Sequence, residues 1–325
     1  MATFSVLQLM SLALVVLSLR TMARAWRARR TLLAEPMRRE QLQLLVEMAL
    51  FILLPLGVLL HELGHAVAVR LAGGRVTGFG YVLFLGWVEY DGVVSASAAF
   101  WIALSGNLVS LTLGLVLLAV GLFAPLRRPM SALLLAGGGL LSVTTLVFYP
   151  LLDAASGLDG DWTQLYSAPW PYPLWLGVSH GALVLVGIGL WRNRWVRLRV
   201  SERIGLPWRL DAGERRARLW RQLADAAEQV GQQEGPLAVR CQVIDGSPWI
   251  ELQWERAGRP RVLRARIGER PDIVEAEALA GEPPALRARW RAVVPEEVLF
   301  LEASALIPLL ERLRAAVDAV GARGD

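Results

Sequence analysis

Leu59 to Arg70 reads LLHELGHAVAVR and carries His61, Glu62 and His65. In a helix, residues four apart share one face, so both imidazoles can reach one zinc ion while Glu62 sits beside them as a base. Zinc hydrolases are built this way. The chain has only 3 His, and two of them fall in this motif, which argues against coincidence. A catalytic zinc takes three protein ligands and keeps a fourth position for water, so one ligand must come from elsewhere. Between Val93 and Val200 the acidic residues are Asp153, Asp159 and Asp161, and the only other His is His180. Glu89 and Asp91 complete the choice. The single cysteine, Cys241, excludes an internal disulfide and a cysteine-based structural zinc site.

The elements that must position these groups are apolar. Ala49 to Leu60 has no charge and runs directly into the motif, so the helix carrying it lies at or near membrane depth, where ionisable groups are functional candidates. With 325 residues, 54% of them hydrophobic, and a mean hydropathy of +0.42, the chain is too apolar for an ordinary soluble enzyme. Apolar runs at 4–19, 43–72, 96–123, 130–152 and 174–191 predict about five transmembrane helices. The first reads as an uncleaved anchor: Ala23-Arg24-Ala25 is like a cleavage site, but no positive residue precedes the apolar core. All 34 basic residues are Arg. Their clustering at 20–39, 124–129 and 192–199 sets topology and contacts anionic lipid, which leaves no call for nucleic acid. The positive-inside rule puts the 20–39 loop, the 124–129 turn and the C-terminal domain in the cytoplasm, and both chemical stretches toward the opposite face.

Residues 75–92 change pattern. Aromatic and β-branched residues broken by Gly78, Gly80 and Gly86 predict short strands beside the motif. The 96–123 span contains Ala103 to Ser110, ALSGNLVS, whose Asn107 is a buried amide able either to donate to an oxyanion or to make a helix-packing hydrogen bond. His180 reads as an interhelical hydrogen-bonding residue, Asp153 as a helix cap and Asp161 as a solvated acid. Trp162, Tyr166, Trp170, Tyr172 and Trp175 read as an interfacial aromatic belt.

His61-Glu62-Leu63-Gly64-His65-Ala66 on an apolar helix resembles the site-2 protease family, the intramembrane zinc metalloproteases. The second motif of that family, LDG after a later span, is matched by Leu158-Asp159-Gly160. The resemblance covers about residues 43–192. It implies Zn²⁺ held by His61, His65 and Asp159, Glu62 as general base, and a small sheet that offers its edge to an extended substrate. ALSGNLVS resembles the family's AGPxxN helix start, but with Gly106 on the glycine, Asn107 falls on the proline and Ser110 on the Asn. The implied substrates are membrane proteins with a transmembrane segment, and the implied location is the cell membrane of a prokaryote, crossed several times.

From Pro207 the composition becomes that of a soluble domain. Asp211 to Val230 predicts an amphipathic helix with a capping-box start. Strand-like runs at Leu237–Ile244, Trp249–Trp254 and Arg261–Ile267 follow, and two or three helices, the last at about Ala303–Val320, complete an α+β unit. It carries no ligand cluster and reads as a module for a protein partner. The expected organisation is an anchor helix and Arg-rich loop at 1–40, a membrane-embedded metalloprotease core at 41–200 and an α+β domain at 201–325. The competing function is a zinc-binding membrane scaffold that does not cleave and whose C-terminal domain recruits partners.

Overall fold

The computed structural model describes residues 2–93, 95–156, 160–207, 210–233, 237–280 and 285–323, with the side chains of 2–12, 296, 297, 321 and 323 left aside. Its contacts divide the chain into two compact units, Met1–Ile204 and Gly205–Asp325.

The first unit begins with α1 (Ala2–Ala28), α2 (Arg39–Met48) and α3 (Leu54–Leu71). A π turn at Ala49–Leu53 fuses α2 and α3 into one rod, Arg39–Leu71. The cause lies in Pro55, at the start of α3. Proline has no N–H, and its ring collides with the carbonyl four residues back, so a wider turn just before it relieves the clash. After α3 come β1 (Arg75–Val82), β2 (Leu85–Asp91) and α4 (Ala96–Phe123). The rod Arg128–Ser156 repeats the same device: α5 (Arg128–Val143), a π turn at Thr144–Phe148, and α6 (Tyr149–Ser156), with Pro150 its second residue. Then follow the short α7 (Asp161–Tyr166), α8 (Tyr172–Arg192) and α9 (Arg194–Ile204). Among the described residues four helices are long and apolar enough to cross a membrane: Arg39–Leu71, Ala96–Phe123, Arg128–Ser156 and Tyr172–Arg192. The fifth expected span, 4–19, falls within α1, largely where side chains are not described.

Small residues bring these helices together. A Cβ added at Gly64 of α3 would stand 3.2 Å from the Ser105 carbonyl and 3.3 Å from Gly106 Cα of α4. One at Gly114 of α4 would stand 3.1 Å from the Gly138 carbonyl of α5. Such close backbone approach lets these apolar helices pack tightly. α3 ends at Gly73, whose φ of 80° is the left-handed conformation a helix C-terminus favours in glycine. The chain then turns back as the antiparallel hairpin β1–β2, with Gly80 opposite Trp87 and Val82 opposite Leu85. Tyr81 donates from its hydroxyl to the Pro55 carbonyl at 2.8 Å, and Phe84 meets Phe51 edge-on at 6.3 Å. Pro55 lies seven residues before Glu62, about 10 Å along the helix. The expected strands are therefore present, and they lie back along the motif helix toward its apolar half.

The second unit packs α10 (Ala212–Gln233) and α11 (Ile307–Arg323) with an antiparallel sheet ordered β3 (Ala238–Ile244), β4 (Ser247–Arg256), β5 (Arg259–Ile267), β6 (Ile273–Ala280) and β7 (Ala285–Val293). Asp211 and Glu214 form the expected capping box, each side chain accepting the other's backbone N–H at 2.7 and 3.1 Å. Two strands, β6 and β7, occupy ground where helix was expected. Their Ala, Glu and Arg favour helix intrinsically, but Val274, Ala276, Ala278 and Ala280 alternate with Glu275 and Glu277. That period of two fits a sheet with one face buried, and all four of the small residues are buried.

Candidate metal centre

The rod Arg39–Leu71 places His61 and His65 one turn apart, and both are buried, as is Glu62 between them. Their Nε2 atoms are 3.0 Å apart. Into the same spot comes one oxygen of Asp161, Oδ2, at 2.9 Å from His61 Nε2 and 3.1 Å from His65 Nε2. Ligands about 2.0 Å from a tetrahedral metal stand roughly 3.3 Å from one another, so this triangle is close to that of three ligands round one ion. The ligand atoms of His61, His65 and Asp161 converge within 4.8 Å and could hold a metal ion.

Hydrogen bonding on the far side of each ring supports the fit. His65 Nδ1 lies 2.7 Å from the Ile102 carbonyl. A carbonyl only accepts, so that nitrogen carries the proton and Nε2 is left with a lone pair. His61 Nδ1 lies 3.2 Å from Ser110 Oγ. That hydroxyl can donate or accept, so it holds the ring in place without fixing its tautomer. Two ring nitrogens and a carboxylate oxygen thus face one another at about 3 Å, a spacing that needs a proton or a cation between them. Room is made by Gly106: a Cβ there would collide with Nε2 of both histidines.

Asp161 is the first residue of α7, and α7 is clamped rather than floating. Trp162 and Leu165 are buried in a cluster with Phe100 and Ala103 of α4 and Leu176 of α8. Asp153, at the end of α6, accepts the Trp162 backbone N–H at 3.0 Å and so caps α7. Gly160 permits this, since a Cβ there would overlap the Asp153 carboxylate. The expected capping role of Asp153 is what the structure shows. Asp161, read from sequence as a solvated acid, is instead the acid at the histidines. The expected ligand Asp159 lies outside the described residues.

The other candidates are also placed. Asn107 Nδ2 donates to the Ala103 carbonyl at 3.2 Å and reaches Asp161 Oδ2 at 3.3 Å, so it makes the helix-packing bond and also touches the acid. His180 bridges helices, with Nε2 2.7 Å from the Leu146 carbonyl and Nδ1 2.8 Å from the Tyr166 hydroxyl, and its ring lies 4.5 Å from that of Trp162. Trp162, expected in an interfacial belt, is buried core. Asp91 pairs with Arg75 at 3.0 Å across the hairpin. Glu62 is covered by β2: a Cβ on Gly86 would overlap its side chain. Asp161 was on the short sequence list; the signal pointing to it is the glycine before it and the Trp after it, which together fix the turn. No family model, no characterised protein and no solved structure matches this chain.

Proposed function

We propose that this protein is an intramembrane zinc metalloprotease of the site-2 protease type, hydrolysing peptide bonds in or near transmembrane segments of membrane proteins. The observation that carries this reading is the triangle that buried His61 and His65, on an apolar helix, make with Asp161, with Glu62 next to His61 and a strand lying over it. His61, His65 and Asp161 would hold the zinc. When bound, zinc supplies an acidified water and polarises the scissile carbonyl. Glu62 takes a proton from water at its carboxylate and returns it to the leaving amine. The apolar helices keep bulk water from this exchange. Ser110 and the Ile102 carbonyl hold the two imidazoles in orientation.

A peptide bond inside a helix has both its polar groups occupied, so substrates must unwind, which favours segments with helix-weakening residues. The hairpin supports such binding. A two-stranded sheet has two edges carrying unpaired backbone groups, and an unwound segment can pair with one of them.

The test is zinc content together with cleavage of a synthetic transmembrane peptide, using the detergent-purified protein. The expected result is about one zinc per chain, with cleavage abolished in Glu62→Gln while zinc is retained. A Glu62→Gln protein cleaving at the wild-type rate would remove Glu62 from the mechanism. Zinc-loaded wild type that cleaves no membrane substrate would favour the non-cleaving scaffold, and wild type that binds no zinc would end the reading altogether.

A further inference from the structure

We infer that α4, which contributes no ligand, is the platform that orients all three: Gly106, Asn107 and Ser110 are positioning residues for the metal. Four successive points on one face of this helix each meet a different part of the triad. The Ile102 carbonyl accepts from His65 Nδ1 at 2.7 Å. Gly106, one turn on, presents bare backbone to both Nε2 atoms. Asn107 donates to Asp161 Oδ2 at 3.3 Å. Ser110 meets His61 Nδ1 at 3.2 Å. The spacing 102, 106, 107, 110 follows the helical repeat, so one rigid element sets every contact at once.

The chemistry of each contact is distinct. The Ile102 carbonyl fixes both rotation and tautomer of His65, which leaves its Nε2 a lone pair, and Ser110 fixes the rotation of the His61 ring and can accept its Nδ1 proton. The Asn107 amide is assigned by its surroundings: rotated the other way, its oxygen would face two acceptors, the Ala103 carbonyl and Asp161. As placed, it donates to the same carboxylate oxygen that faces the histidines and so holds that oxygen in position. Its own Oδ1 is buried and has no hydrogen-bond partner among the described residues, so it can accept from a donor brought by water or substrate. Gly106 acts by volume alone. A methyl group there would press on the Nε2 atoms of both histidines, the atoms that would hold the metal.

This inference rests on the metal centre of the proposed function and not on proteolysis, so the readout is zinc affinity by chelator competition, with the zinc-dependent rise in melting temperature measured alongside. Wild type is compared with Gly106→Ala, Ser110→Ala, Ser110→Thr, Asn107→Ala and Gly114→Ala. The last crowds α4 against α5 but lies two turns from the ligands, so it controls for helix separation. Gly106→Ala is expected to melt as a folded protein with no zinc-dependent shift. Ser110→Ala and Asn107→Ala are expected to bind zinc about 10- to 100-fold more weakly, Ser110→Thr to recover most of that loss, and Gly114→Ala to bind as wild type. A folded Gly106→Ala protein holding zinc as tightly as wild type would overturn the inference. If Gly106→Ala does not fold, Ser110→Ala decides: wild-type affinity there, or a loss that Ser110→Thr does not recover, would overturn it equally. Failure of the wild type itself to bind zinc would instead be failure of the underlying metal reading.

Discussion

The two units treat buried and half-buried charge in opposite ways. On one face of the C-terminal sheet, register places Arg240, Glu251, Arg264, Glu277 and Arg289 in a single row across five strands. Signs alternate along it, with Arg264 to Glu251 at 2.6 Å and Arg289 to Glu277 at 2.8 Å. A second row adds Arg266 and Arg291 on either side of Glu275 at 2.8 and 3.1 Å, and the Arg266 guanidinium lies 4.8 Å from the Trp249 ring centre. Each of the three carboxylates there, Glu251, Glu275 and Glu277, is paired with an arginine. In the first unit His61 Nε2, His65 Nε2 and Asp161 Oδ2 instead converge within about 3 Å of one another, with Asn107 donating to the same carboxylate oxygen. A charge network that closes on itself supports a fold, whereas ligand-type atoms that converge on one point could hold a metal ion.

This contrast can be broken most sharply at the triad. His61→Ala should lose zinc outright, and Asp161→Asn should weaken zinc more than Asp159→Asn or Asp153→Asn, measured by metal content after gel filtration. Equal losses from Asp161→Asn and Asp153→Asn would mean that the cap and the ligand are not distinct. Next in size is Gly86→Val. The added side chain falls on Glu62, so cleavage should drop by about a hundredfold, the scale of general-base catalysis, while zinc content stays at the wild-type level. Loss of zinc in that variant would show instead that the hairpin holds the metal site together.

In the ladder the expected effects are smaller and fall on stability. Glu251 is 2% exposed and accepts from both Arg264 and Gln253, so Glu251→Ala should cost about 1–3 kcal/mol in thermal unfolding of the C-terminal unit. Glu277→Gln, at an exposed pair, should cost less than about 1 kcal/mol. The smallest effect is one of pH. Arg266, through its hydrogen bond, and Arg291 hold Glu275 below its ordinary value. A carboxyl with a depressed folded pKa stabilises above its unfolded pKa, roughly 4.3, and the gain vanishes as pH falls through the folded value. Glu275→Gln should therefore melt below wild type at pH 7 and converge with it in acid. A difference that persists at pH 3 would assign the effect to packing.

Much of the site was legible from residue order. HELGH needs only helical periodicity to put two imidazoles on one face, and the unbroken apolar run before it needs only hydropathy to set its depth. The β1–β2 hairpin was legible from its glycines and β-branched residues. The π turns are also local, since each precedes a proline at the start of the next helical segment. Less was legible in the C-terminal sheet, where Ala and Glu in β6 favour helix by themselves and only burial of alternate residues against neighbouring strands reverses that preference.

The sequence by itself determined a long apolar helix with two histidines on one face and a short list of acids that could join them. Tertiary structure decided which acid. Asp153, Asp159 and Asp161 lie within nine residues, and no periodicity ranks them. The choice depends on a turn at Gly160 tight enough for Asp153 to cap α7, and on Trp162 and Leu165 seated against Leu176 and against Phe100 and Ala103, the last two about 60 positions away. The same holds for α4: its Gly, Asn and Ser are ordinary helix-packing residues until the fold sets Gly106 against two imidazoles.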